Sequence, residues 1–371
     1  MSLILSAEQE QFRASVRRFL EDTSPETEVR RLMDSADGYD KDVWRAMAGR
    51  LGLQGLAIPE EFGGSGFTFV ELAIVLEELG RALTCVPYFS SVVLAATLLL
   101  ASGDEAAKRQ YLPGIADGSL LATVALAESS DRWDERGVTL AATASGAGWR
   151  LSGEKRYVLD GHIADVVFVA ARTPAGVSLF GVDRGAAGLS TELMSTMDKT
   201  RKQARVRFSD TPARLVGADG EGWPVVSRTL DVAAVGLAAE QAGGAARVLE
   251  MSVDYAKVRV QFGRVIGSYQ AIKHKCADML LEVESARSAA YHGAAAVAGA
   301  SAELPVVASL AKAYCSEAFT HAASENIHIH GGVGFTWEHP AHLYFKRART
   351  SHALFGGPTY HRELLARRLG I

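Results

Sequence analysis

The residues best suited to chemistry lie late in the chain. The stretch YAKVRVQFGRVIGSYQAIKHKCADM closes one helical pattern with cations, turns at Gly263 and Gly267, and restarts a helix at Tyr269. Arg259 and the turn's N–H groups suit a phosphate, because a planar guanidinium and backbone donors match its oxygens. The same residues serve equally well as a helix–turn–helix corner with a solvated arginine. Further on, NIHIHGGVGF holds His328 and His330, and His339, His342 and His352 follow. An H-x-H pair can ligate a metal, but no third ligand falls at matching spacing, and Gly331–Gly332 fit a close backbone approach to a ligand instead. No metal site is expected.

Other chemistries leave no trace. No G-x-G-x-x-G, G-x-x-x-x-G-K-[ST] or H-E-x-x-H occurs, which sets aside nicotinamide, P-loop and zincin readings. GGSGF, at Gly63–Phe67, reads as a flexible turn between helices rather than a phosphate cradle. Cys85, Cys276 and Cys315 are too scattered for a disulfide framework or a C-x-x-C site, and a reducing cytoplasm is the simplest setting. A net charge of −4 with both signs intermixed gives no footprint for nucleic acid or an anionic membrane, and SVVLAATLLLA is too short to span a bilayer.

These residues need a scaffold, and composition outlines one. After Ser6, a candidate N-cap, apolar residues recur at helical spacing, and similar patterns follow at 43–53, 70–83, 91–102 and 104–115. Beyond Gly118, short β-branched runs between Gly, Asp and Pro turns predict an antiparallel barrel or sandwich. The helical period returns from Trp223, with long helices over 230–258, 269–298 and 305–328 and a last one near 342–348. The expected fold is α+β: an N-terminal helical domain (1–118), a middle antiparallel β-barrel domain (119–222) and a C-terminal four-helix-bundle domain (223–371).

Three stretches in this order, IPEEFGGSGFTFVELAIVLEELGRAL, YAKVRVQFGRVIGSYQAIKHKCADM and HIHGGVGFTWEHPAHLYFKRA, resemble the acyl-CoA dehydrogenase family over essentially the full length. The resemblance implies FAD shared between subunits of a tetramer. It also implies removal of an α-proton from an acyl-CoA thioester by a glutamate, hydride transfer to the flavin, an enoyl-CoA product, and an electron-transfer flavoprotein as acceptor.

Two groups of family residues fare differently. Those that reach a neighbouring subunit's flavin are kept: Arg259, Gln261, Phe262 and Gly263 match the R-x-[QT]-F-G turn. His328, Ile329, Gly331 and Gly332 match the Q-[IV]-x-G-G loop, with histidine in place of glutamine. Those that serve the chain's own flavin and substrate are altered. LAESSDRWD stands for V-T-E-P-x-x-G-S-D, so Ala127 replaces the threonine, and Arg132 and Trp133 replace the glycine and serine. Tyr157, Val158 and Leu159 stand for W-I-T.

The general base is missing from both usual positions. FGGP aligns with Y-E-G-T, so Gly356 replaces the glutamate and Pro358 the threonine; the other family position, near the start of the long helix, reads Ala233, with Ala234 after it. Loss of a positioned base costs about two to four orders of magnitude in rate. Glu240 is the best internal candidate, seven residues beyond Ala233 on the same helix face. Its plainer reading is a partly buried structural carboxylate beside the close-packing Gly243–Gly244. Glu128 and His352 are weaker candidates. The asymmetry suggests the non-base subunit of a heterotetramer of two acyl-CoA dehydrogenase chains; the alternatives are a self-sufficient homotetramer using Glu240, or a flavin-dependent oxygenase or CoA-binding protein on the same scaffold.

Overall fold

A computed structural model describes residues 5–130, 132–146 and 148–371. The first helix, α1 (Ala7–Thr23), starts at a reciprocal cap: the Gln9 amide donates to Ser6 Oγ at 3.2 Å, and the Ser6 amide to Gln9 Oε1 at 2.9 Å. Then come α2 (Glu26–Met33), α3 (Lys41–Leu51), α4 (Phe69–Ala82), a π-helical turn Phe89–Ala95 continued as α5 (Ala96–Ala101), and α6 (Glu105–Ala116). The strands are β1 (Ala122–Ala125), β2 (Ala141–Ser145), β3 (Gly148–Leu159), β4 (Val166–Thr173), β5 (Gly176–Asp183), β6 (Leu189–Leu193) and β7 (Gln203–Val216). Helix α7 (Gly222–Val258) leads into a hairpin, β8 (Val260–Gln261) and β9 (Arg264–Val265), followed by α8 (Gln270–Ala298), α9 (Leu304–His330), α10 (Ala341–Ala353) and α11 (Pro358–Leu369).

Contacts divide the chain into two compact units. The helical unit comprises the described residues up to Arg30, Phe69–Thr84 and Ala234–Ile371; the other comprises Arg31–Thr68 and Cys85–Ala233. The helical unit therefore draws on both ends of the chain, with the barrel sequence between them.

The barrel closes through β4–β2–β3–β7–β5 and back to β4. Most pairs are antiparallel, but β1 joins β4 in parallel, and the single β2–β4 contact, Ala141 with Arg172, is also parallel. Strand β4 is apolar on both faces because both are covered. Val167, Val169 and Ala171 enter the core with Leu151, Phe180 and Val206, while Phe168 meets the Tyr111 ring of α6 edge-on at 5.2 Å.

The GGSGF segment is a fixed structure rather than the flexible turn its composition suggests. The amides of Ser65, Gly66 and Phe67 donate to the carbonyls of Gly55, Ile58 and Leu56 at 2.8–3.0 Å. A Cβ on Gly64 would lie 1.9 Å from the Ile58 oxygen, so glycine is required for the close approach rather than for mobility.

Within the helical unit, glycines bring α7 against its neighbours. A Cβ on Gly80 of α4 would meet the Glu240 carbonyl at 2.0 Å, and one on Gly243 the Glu77 carbonyl at 1.8 Å. Gly244 likewise makes room for the Phe319 ring of α9, 2.5 Å from a built Cβ. Two helices escape a reading of periodicity, α2 and α11. The latter begins with Pro358 as its first residue, a position where the missing N–H costs nothing.

Candidate functional site

The two sequence motifs that suit an anionic ligand come to the same end of the helical unit. Ser252 on α7 donates to Asn326 Oδ1 on α9 at 2.9 Å, and about one turn later on each helix the Tyr255 ring stacks on His330, centroids 4.3 Å apart at 27°. Arg259 follows one turn after Tyr255, and Gly331 immediately after His330. His330 is therefore a buried packing histidine: its Nδ1 bonds the Asn326 carbonyl at 2.8 Å, and its other flank meets the His339 ring at 4.3 Å.

The Arg259 segment forms a two-residue hairpin. Phe262 and Gly263 at its tip have φ of 52° and 79°, the pair of left-handed residues that this turn requires. Phe262 is 92% exposed, a large apolar ring standing in solvent. Arg259 is exposed too and, among the described residues, makes no ion pair. The hairpin is stiffened by Tyr269, the residue that precedes α8: it donates to the Gln261 carbonyl at 3.1 Å, while Arg264 lies 3.9 Å above its ring. Gln261 turns its amide to its neighbour's carbonyl, Val260 O, at 2.9 Å.

On the facing motif, His328 is largely exposed, with Nδ1 3.2 Å from Glu325, itself bound by Lys275 of α8. Burial works to raise the Glu325 pKa, but its bond to Lys275 outweighs this and holds the carboxyl below its usual range. Ile329 is buried and anchors the helix end. Gly331 (φ 62°) and Gly332 have no atom within 4 Å of a built Cβ, so the backbone there is open to an approaching group. A guanidinium without an ion pair among the described residues and an open Gly-Gly turn, at the same end of the helical unit, fit an anionic cofactor such as a dinucleotide pyrophosphate.

The candidate carboxylates are already engaged. Glu240 is buried on α7 and accepts from Arg347 of α10 at 2.8 Å, with both side chains more than nine-tenths covered. Glu128 accepts the amides of Thr139 and Leu140 at 2.9 and 3.0 Å, the Thr139 hydroxyl, and the buried Lys155 ammonium at 2.7 Å. Burial works to raise the Glu128 pKa, but Lys155 outweighs it and holds the carboxyl low; burial lowers Lys155 to about 8 despite that pair. Glu128 thus staples the loop after β1 to the segment before β2. Half-buried His352 has its pKa lowered by burial and by Lys312. Ala233 is fully buried.

Gly356 lies in a left-handed turn, φ 97°, after Phe355 at φ 60°. Three side chains that sequence reasoning passed over converge here: Lys312, Tyr360 and His361. Lys312 Nζ bonds Ser316 Oγ at 3.0 Å, the His352 carbonyl at 3.2 Å and the Gly356 carbonyl at 3.1 Å, and it makes no ion pair among the described residues. A lysine within the otherwise apolar run ASLAKAYC was the signal available. In the loop matching the family's flavin strand, Arg132 pairs with Asp134 on the surface. Tyr157 sits at a β-bulge with φ 54°, and Val158 and Leu159 point into the interior.

Models of the acyl-CoA dehydrogenase N-terminal, middle and C-terminal domains match residues 6–119, 123–211 and 220–370. The chain belongs to the acyl-CoA dehydrogenase family. It is 37% identical over 91% of its length to acyl-CoA dehydrogenase IpdE2 of Mycobacterium tuberculosis, covering 89% of that protein. A solved variant of the Tcur3481-Tcur3483 steroid ACAD superimposes with a TM-score of 0.89 at 32% identity, over 98% of each chain. The ChsE4-ChsE5 complex from Mycobacterium tuberculosis gives a TM-score of 0.91 at 28% identity, over 100% of this chain and 99% of the other. Among the described residues, no helix is long and apolar enough to cross a membrane.

Proposed function

We propose that this chain is the base-lacking subunit of a heteromeric, FAD-dependent acyl-CoA dehydrogenase that introduces an α,β double bond into an acyl-CoA. The observation that carries the reading is a contrast in commitment. Glu240 and Glu128 are bound to buried cations and Gly356 offers no side chain, while Arg259, with Phe262 beside it, is free and exposed. A carboxylate held by an arginine in a buried pair is poorly placed to take a proton, whereas an unpaired surface guanidinium is placed to meet a second molecule's anion.

In this reading Arg259 binds the pyrophosphate of a cofactor held by a second chain, Gly331–Gly332 let the backbone approach it, His328 donates from beside Glu325, and Phe262 packs on the neighbouring subunit. Bound FAD supplies the hydride acceptor, and the second chain supplies the glutamate. Electrons leave to an electron-transfer flavoprotein. Exposed apolar residues on the same helical unit, Leu281 at 70% and Phe335 at 82%, support a subunit contact. Two of the similar solved structures are assemblies of two named chains, and one is described as a steroid enzyme, which favours a bulky polycyclic acyl group.

Native purification followed by an absorbance spectrum and a mass measurement tests the proposal. The chain alone is expected to hold little flavin and to catalyse no dehydrogenation, and co-expression with a glutamate-bearing chain to restore both. Stoichiometric flavin with full turnover by the single chain overturns it.

A further inference from the structure

The Gly356 turn has no room for a side chain. An ideal Cβ on Gly356 would lie 2.4 Å from Tyr360 Cδ1, 3.0 Å from Cε1 and 3.1 Å from Cγ. Those atoms include the root of the ring, and rotating the ring about its own axis leaves Cγ where it is. Tyr360 is carried in the first turn of α11, which begins at Pro358.

The backbone of the turn is tethered as well. Lys312 Nζ reaches the carbonyls of His352 and Gly356 at 3.2 and 3.1 Å, His361 Nε2 bonds the Phe355 carbonyl at 3.1 Å, and the Gly356 amide donates to Ala353 at 3.2 Å. Lys312 thus bridges the His352 carbonyl, in the last turn of α10, and the Gly356 carbonyl just beyond that helix.

We propose that this turn is a sealed wall rather than an emptied site: Tyr360 excludes any side chain at position 356, and Lys312 and His361 are positioning residues that hold the turn closed around it. A carboxylate at 356 and the Tyr360 ring are then mutually exclusive, so the 356/360 pair, rather than position 356 alone, assigns the chain its base-lacking role. Only that last step rests on the functional reading above; the steric claim does not.

A stability cycle on the purified chain in its native oligomeric form tests the claim without reference to flavin or turnover. Thermal unfolding is compared for the natural protein, Gly356→Ala, Tyr360→Ala and the double variant. Backbone strain from the left-handed φ is common to both backgrounds and cancels, leaving the ring contact. The loss caused by Gly356→Ala is expected to be about twofold or more larger in the natural background than in the Tyr360→Ala background. Folding of the double variant where Gly356→Ala alone fails to fold supports the exclusion equally. Equal losses in both backgrounds, or failure of the double variant while Tyr360→Ala folds, overturn it. For the positioning residue, Lys312→Met is expected to speed amide hydrogen exchange within 353–361 and leave α1 and α4 unchanged; unchanged exchange in that segment overturns its part.

Discussion

Tyr255 stacks on His330 with ring centroids 4.3 Å apart, and this contact decides where two distant motifs meet. It fixes the last turn of α7 to the last turn of α9, so the hairpin with Arg259 and the turn with Gly331 open at one end of the helical unit. Substituting His330 by Ala removes a buried aromatic contact and is expected to cost about 1–3 kcal/mol of stability. In the heteromer it should also lower flavin retention, measured as the absorbance ratio after gel filtration. Unchanged retention with lowered stability would limit the stack to packing.

Arg259→Ala and Arg259→Lys separate charge from geometry. A bidentate guanidinium is not replaced by a point charge, so both variants are expected to weaken flavin binding in the heteromer, by about tenfold or more for Ala and less for Lys. The isolated chain should keep its melting temperature, because Arg259 makes no ion pair among the described residues.

The Glu240–Arg347 pair answers the alternative in which Glu240 is the base. Removing one partner of a buried ion pair costs about 3–5 kcal/mol, because the other charge is left unpaired. Glu240→Gln should therefore destabilise the fold, and adding Arg347→Met should recover much of the loss. If Glu240 were the base, Glu240→Gln would instead abolish turnover in a chain of normal stability. The same logic applies to Glu128→Ala, which strands Lys155 in the barrel unit.

Two buried cation-forming groups set opposite ends of a pH profile. Burial, reinforced by Lys312, lowers His361 from 6.5 to about 3. Between those values the unfolded chain binds a proton that the folded one refuses, so stability falls as pH drops from 6.5 toward 3. Burial likewise lowers Lys312 from 10.5 to about 7, with a small opposing effect from Cys315. Here the unfolded chain holds the extra proton above pH 7, so stability rises from pH 7 toward 10.5. Denaturation across pH should show His361→Asn flattening the acid limb and Lys312→Met the alkaline one. His352 and His361 face Lys312, so Lys312→Met should also make the acid limb shallower.

Phe262 offers a direct probe of association. Its ring makes little contact within its own chain, so Phe262→Ser should leave the stability of the isolated chain within about 0.5 kcal/mol. It should weaken assembly with the second chain, read as the heteromer dissociation constant. A fall in intrinsic stability instead would mean that the ring packs on its own chain.

The order of helical, β and helical segments was legible from local pattern, because periods of 3.6 and 2 residues need only neighbours in sequence. The cap at Ser6 and the long late helices were legible for the same reason, whereas the meaning of the glycine at 356 came only from the motif resemblance. The commitments of the polar residues were not. Glu240 meets Arg347 across 107 positions, and Lys312 meets the Gly356 carbonyl across 44. Only packing decides such pairs, and with them whether a carboxylate is a reagent or a strut. Sequence shows a glycine at 356; the tertiary structure shows the Tyr360 ring standing where a Cβ on it would lie, because α11, which periodicity did not reveal, sets that ring against the turn.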